Sequence, residues 1–227
     1  MDYVSPRVVV TGAFGALGRV VVEHLQQAGA RVVGLDHAAA PGTFPAIHVL
    51  GGLDLSDPAV ASRAITEAAD AMGGIDALIN IAGGFQWETI ADGGLDTWDH
   101  LYRLNVRTAV ATSQAALPFL LSSGGRIVNI GANAATRAAT GMGAYAASKA
   151  GVARFTEALA EELKDRGVTV NALLPSILDT PANRRDMPDA DFSRWVTPQQ
   201  LAGIIRFLLS EPAAAITGAL VPVTGRV

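Results

Sequence analysis

The chain has 227 residues, half of them apolar, with a net charge of −4 and no cysteine. That length and apolar share suit one α/β domain with a large core, and the missing cysteines exclude disulfides, thiolate catalysis and cysteine-based metal sites. Basic residues number 17 and are scattered, and the pI is near 5.5, which argues against a nucleic-acid surface or an anionic membrane and for a small-molecule partner.

The mean hydropathy of +0.31 comes from short apolar runs, none near the roughly 18 residues of a membrane span. The start lacks the zones of a signal peptide, so a cytoplasmic setting is expected. Residues 7–12 predict a short buried strand, followed by the turn Gly12-Ala13-Phe14-Gly15-Ala16-Leu17-Gly18 and an amphipathic helix over 19–27. Glycines there allow a tight turn and close approach of a pyrophosphate, which the helix amides and positive helix end stabilise. A plain strand-to-helix turn is the other reading.

Residues 31–36 read as a second strand ending at Asp36, 18 positions beyond Gly18. The usual separation in dinucleotide folds is about 20. A carboxylate there accepts hydrogen bonds from the adenosine ribose and repels a 2′-phosphate, so NAD is favoured over NADP; it can also cap a turn. Residues 41–45 are a loop, 48–55 a third strand running to Asp54 and Leu55, and Pro58 suits the first turn of a helix. Residues 76–84 form a fourth strand that runs into Gly83 and Gly84.

One long helix is expected over 97–121, with Leu101, Leu104, Val110 and Leu117 on its apolar side and Asn105 in its middle. A lone helix asparagine more commonly bonds the backbone or a neighbour. Further strands fall at 125–132, 168–175 and 219–224, the last suited to a sheet edge, where Pro222 is tolerated. Between them come a helix from about Tyr145 to Arg166, a proline- and charge-punctuated substrate loop at about 176–196, and a helix over 199–210 capped by Thr197 and Pro198. This alternation predicts a three-layer doubly wound α/β Rossmann fold with a seven-stranded parallel sheet, one domain over 1–227, and a site at the carboxyl ends of the strands.

Tyr145 and Lys149 stand four apart in an alanine-rich helical run and therefore share a face. Bringing a tyrosine from about 10 to about 7 takes about 4 kcal/mol of preference for phenolate, which an adjacent ammonium in a closed site can largely supply. An exposed helical pair is the bland reading.

Together these motifs closely resemble the short-chain dehydrogenase/reductase family over nearly the whole chain. Thr11-Gly12 to Gly18, Asp54, Asn80-Ile81-Ala82-Gly83, Asn105, Tyr145-x3-Lys149 and Pro175 to Thr180 arrive in that family's order. The resemblance implies an NAD(P)-dependent oxidoreductase passing hydride between nicotinamide and a small carbonyl, alcohol or conjugated substrate. It implies that Gly12, Phe14, Gly15, Ala16, Leu17 and Gly18 hold the cofactor, with the three glycines at its phosphates and Asp36 at its adenosine ribose. Asp54 and Leu55 would meet the adenine, and Asn80, Ala82 and Gly83 the adenosine side. Pro175 and Thr180 would close the nicotinamide end, Thr180 at the carboxamide. Tyr145 would be the proton donor or acceptor, Lys149 would lower its pKa and bind the nicotinamide ribose, and Asn105 would support a water relay.

Two positions depart from the family pattern. Ala16 stands where the main branch has its second glycine, and Ala132, 13 residues before Tyr145, stands where the family usually has serine. Losing such a donor typically costs about 10²- to 10³-fold in rate. Asn133 is a candidate replacement donor, an already electrophilic substrate is a second way out, and a catalytically weak or inactive dinucleotide sensor or scaffold is a third. Dihydropteridine reductase, a family member with a conjugated quinonoid substrate, is similar in both short motifs. Histidines 24, 37, 48 and 100 show no ligand spacing, so no metal is expected. Trp87 and Trp98 read as packing or interface groups, and Trp195, closing the loop, as a possible substrate contact. The resemblance further implies a homodimer or homotetramer.

Overall fold

The computed structural model describes residues 5–227; part of the expectation about a targeting segment falls on residues 1–4, outside the described residues. Seven strands form one parallel sheet: β1 (Arg7–Thr11), β2 (Arg31–Leu35), β3 (His48–Leu50), β4 (Ala77–Asn80), β5 (Arg126–Ile130), β6 (Thr169–Pro175) and β7 (Leu220–Val223). Their spatial order is β3-β2-β1-β4-β5-β6-β7. The order reverses between β1 and β4, which opens a crevice at the carboxyl ends of these two strands. The helices are α1 (Ala16–Gln27), α2 (Pro58–Met72), α3 (Leu95–Leu101), α4 (Thr108–Ser123), α5 (Gly143–Leu163), α6 (Pro181–Asp186) and α7 (Pro198–Leu208).

Consecutive strand side chains point to opposite faces, so a strand covered on both faces must be apolar throughout. Val8, Val9 and Val10 show this: all are fully buried, Val8 and Val10 against α1 and α7, Val9 against α2, α4 and α5. The result is the three-layer doubly wound α/β Rossmann architecture, with β7 at one edge and Pro222 on it.

Four local expectations need correction. The third strand stops at Leu50 because Gly51 and Gly52 turn the chain, Gly52 with φ +72°, so Asp54 and Leu55 lie on a loop. The helix expected over 97–121 is three pieces: α3, a π-helical segment Tyr102–Arg107 carrying Asn105, and α4. Helix α1 starts at Ala16, inside the glycine turn, so the turn itself is short. The loop at 176–196 holds α6, a 3-10 turn Phe192–Arg194 and a parallel bridge between Leu178 and Val196.

Candidate active site

The glycine turn is shaped by contacts as well as by conformation. Gly12 has φ +64°, and a Cβ there would lie 2.7 Å from the amide nitrogen of Ala82; a Cβ on Gly18 would overlap the Gly12 carbonyl oxygen. Gly15 has room for one and is the N-cap of α1, where no side chain caps the helix, leaving first-turn amides open to an anion. Asp36 accepts from the amides of Phe14 (2.8 Å) and Ala38 (2.9 Å), which ties the end of β2 to the turn and leaves a lone pair on each oxygen. Both readings of Asp36 are therefore compatible: it caps a turn and still presents acceptors.

Asp54, Leu55 and Ala82 come together in a cleft of about 410 Å³, which His37 and Arg103 also line. Ser56 donates to Asp54 through its hydroxyl (2.6 Å) and amide (3.1 Å), and Arg103 pairs with the same carboxylate. Those hydrogen bonds, Ser56 foremost and against some desolvation, hold Asp54 below the ordinary carboxylate range. A helix N-terminus with free amides, a ribose-type acceptor and a cleft bounded by Leu55 fit a dinucleotide. Asn80 is turned inward instead: it donates to Ser113 (3.0 Å) and Asn129 (2.9 Å) and accepts from Thr112 (2.8 Å), so its side chain is spent inside the fold.

Tyr145 and Lys149 lie one turn apart on α5, as the spacing requires. Lys149 is buried and its Nζ donates to the Ile130 carbonyl at 2.9 Å; a Cβ on Gly83 would lie 3.4 Å from that nitrogen. The closer limit at Gly83 is Asn105, whose Oδ1 such a Cβ would approach to 2.5 Å. Asn105 is buried and clamps Gly84, accepting from its amide (2.9 Å) and donating to its carbonyl (3.1 Å). It also donates to Ser148 Oγ (2.9 Å), which donates to the Tyr145 carbonyl (2.8 Å). Ser148 was not singled out in the sequence; its place inside Tyr145-x3-Lys149 was the available signal.

Desolvation pushes the Tyr145 phenol up to about 12 and the Lys149 ammonium down to about 8. In the protein alone burial is what moves the phenol, and the Lys149 ammonium is engaged with the Ile130 carbonyl.

The sequence pattern described as short chain dehydrogenase matches residues 6–191. The chain belongs to the short-chain dehydrogenase family. Curated members similar to this chain include 3-oxoacyl-(acyl-carrier-protein) reductase FabG of Vibrio harveyi, 32% identical over 96% of this chain and 95% of its own. Meso-2,3-butanediol dehydrogenase of Serratia marcescens is 30% identical over 99% and 95%. Among solved structures, aldohexose dehydrogenase of Thermoplasma acidophilum superposes with a TM-score of 0.88 at 25% identity, covering 98% of this chain and 94% of its own. The family makes the chain an oxidoreductase that uses a nicotinamide dinucleotide.

In this dehydrogenase the position of the usual serine is Ala132, 4% exposed, and no hydroxyl stands there. Asn133 begins a 3-10 turn, half-buried, and its side-chain amide is committed to no other described residue. Pro175 ends β6, and Thr180 caps α6, accepting from the Asn183 amide at 3.2 Å. Trp195 is 6% exposed and packs on Phe192 with ring centroids 4.8 Å apart, so it braces the 176–196 loop from within rather than lying open to a ligand. Arg184 reinforces the loop through a two-pronged bond to Asp179 (2.6 and 2.8 Å) and a stack over Phe192. Among the described residues no helix is long and apolar enough to cross a membrane, and no cluster of His, Asp or Glu could hold a metal ion.

Proposed function

We propose that the chain, acting as one unit, transfers hydride between NADH and a small carbonyl or conjugated substrate, with Tyr145 as the acid. The arrangement that carries this reading is Tyr145 and Lys149 on one turn of α5, facing Gly83 and braced by Asn105 and Ser148. When bound, the dinucleotide supplies or accepts the hydride. The first-turn amides of α1 would hold its phosphates, Asp36 its ribose, and Asp54, Leu55 and Ala82 its adenine end; Asp36 supports NADH over NADPH. Lys149 would bind the nicotinamide ribose and Thr180 the carboxamide.

Tyr145, raised to about 12 by burial, is protonated at neutral pH in the protein alone, and giving that proton up requires the phenolate to be stabilised as the reaction proceeds. Lys149, near 8, keeps most of its charge at pH 7 and favours the phenolate left behind. Ala132 withholds a polarising hydroxyl, which favours a substrate whose conjugation already makes it electrophilic, or an amide donor from Asn133. The likeness to dihydropteridine reductase in two short motifs fits the conjugated substrate. Ala132 also favours a second reading, a dinucleotide-binding sensor or scaffold without efficient chemistry. We further propose a cytoplasmic homodimer or homotetramer, joined through the small-residue faces of α4 and α5.

Titration with NADH and NADPH, followed by turnover against ketones and quinones, tests the assignment. Tyr145→Phe is expected to cut turnover by about 10²- to 10⁴-fold while NADH binding persists. Turnover undiminished in that variant would sink the role of Tyr145, and binding with no turnover by the wild type would favour the sensor.

A further inference from the structure

Gly84, fixed to Asn105 on both its amide and its carbonyl, launches a segment whose next residues are Phe85, Gln86 and Trp87. The Phe85 ring stands edge-to-face with Tyr145, centroids 4.9 Å apart and planes at 86°, yet Phe85 is 57% exposed. Trp87 is 58% exposed but is held in place: its Nε1 donates to the Thr140 carbonyl at 3.0 Å, and its indole lies flat against Gly141, where any Cβ would overlap it. The Glu88 amide donates to the Gly141 carbonyl at 2.9 Å, stitching the aromatic segment to the turn that opens α5. Here two large aromatic rings are left open, Phe85 directly against Tyr145 and Trp87 anchored on the turn that leads into α5.

We propose that Phe85 and Trp87 are specificity-determining residues, forming an aromatic wall that selects flat, conjugated ring carbonyls over saturated ketones. The proposal rests on Tyr145 being the proton donor. A planar ring can lie on such open faces by offset or edge-on contact, so stacking replaces the missing hydroxyl as the means of holding substrate. One hydride, which NADH would supply, and one proton from Tyr145 together complete the two-electron reduction to the neutral dihydro product, leaving NAD⁺, and the Tyr145 phenolate regains its proton from bulk solvent.

The test compares kcat/KM, with NADH, for phenanthrenequinone or naphthoquinone against cyclohexanone. Phe85→Leu is expected to lower the quinone-to-cyclohexanone ratio about tenfold, and Phe85→Trp, which keeps a flat face, to preserve it. Trp87→Leu gives the same loss independently if Phe85→Leu folds poorly. Quinone binding is also read without turnover, as quenching of tryptophan fluorescence, which Phe85→Leu should weaken. An unchanged ratio in Phe85→Leu and Trp87→Leu would overturn the wall while leaving the hydride-transfer reading intact. A wild type that binds quinone through Phe85 but turns over nothing would keep the wall and overturn the hydride-transfer reading. A change of oligomeric state on size exclusion with no change of ratio would assign the rings to subunit packing and overturn the proposal.

Discussion

Single residues at the centre of the site are governed by burial. Desolvation moves Tyr145 and Lys149 in opposite directions, up for an acid whose charged form is an anion and down for one whose charged form is a cation. For Lys149 this has a consequence for stability. Its folded value, about 8, lies below the ordinary 10.5, so between these values the unfolded chain binds more protons and stability rises with pH across that window. Below about 8 both states carry the charge and the folded state bears its full burial cost. Lys149→Met should therefore raise the thermal midpoint of the cofactor-free protein most at neutral pH, with the gain shrinking as pH climbs toward 10.5, partly offset by the unpaired Ile130 carbonyl. Melting curves at several pH values check the trend; a gain that grows with pH would contradict it. The Tyr145–Lys149 spacing was legible in the chain, but the balance of desolvation against charge was not, because it depends on what covers the ring.

At the scale of elements, the turn before α1 shows which glycines serve packing and which serve the site. A Cβ on Gly18 would meet the Gly12 carbonyl and stand 2.7 Å from Ala13 Cα, whereas one on Gly15 would meet only the Gly12 oxygen at 3.4 Å. Gly18→Ala should cost about 1–3 kcal/mol and weaken NADH binding. Gly15→Ala should fold as the parent does; urea denaturation with NADH titration separates the two. The sequence spacing located this turn, yet it treated the three glycines alike, since only the folded turn shows how closely its start and its helix approach. The same limit applies at Asn105. Its π-helical setting, which widens the helix where Asn105 reaches Gly84 and Ser148, has no periodic mark in the sequence, since 97–121 reads as one amphipathic run.

Across the whole molecule, the centre of the sheet is joined to its helical layer by a buried polar chain. Asn80 of β4 donates to Asn129 of β5 at 2.9 Å, and Asn129 donates to Thr156 of α5, also at 2.9 Å. Thr112 of α4 lies 2.8 Å from Asn80 and shares its one proton between Asn80 and the Thr108 carbonyl, so four elements meet at one buried network. Asn129→Ala breaks it in the middle and leaves a buried donor unpaired, which should cost about 2–3 kcal/mol in urea unfolding. A loss no larger than that of an exposed Asn→Ala change would refute the network's importance. The sequence alone determined the alternation of strands and helices, hence the doubly wound parallel fold, because the periods of apolar residues and the placement of glycines are local properties of the chain. It also brought Gly12 to Gly18, Asp36, Tyr145 and Lys149 into view. Tertiary structure alone decided that Asn80 turns inward, that Trp195 is buried in the loop, and that Phe85 stands open against Tyr145 with Trp87 anchored on Gly141. Those outcomes depend on contacts between segments far apart in sequence, where burial and hydrogen-bond satisfaction are settled only once all the layers are in place.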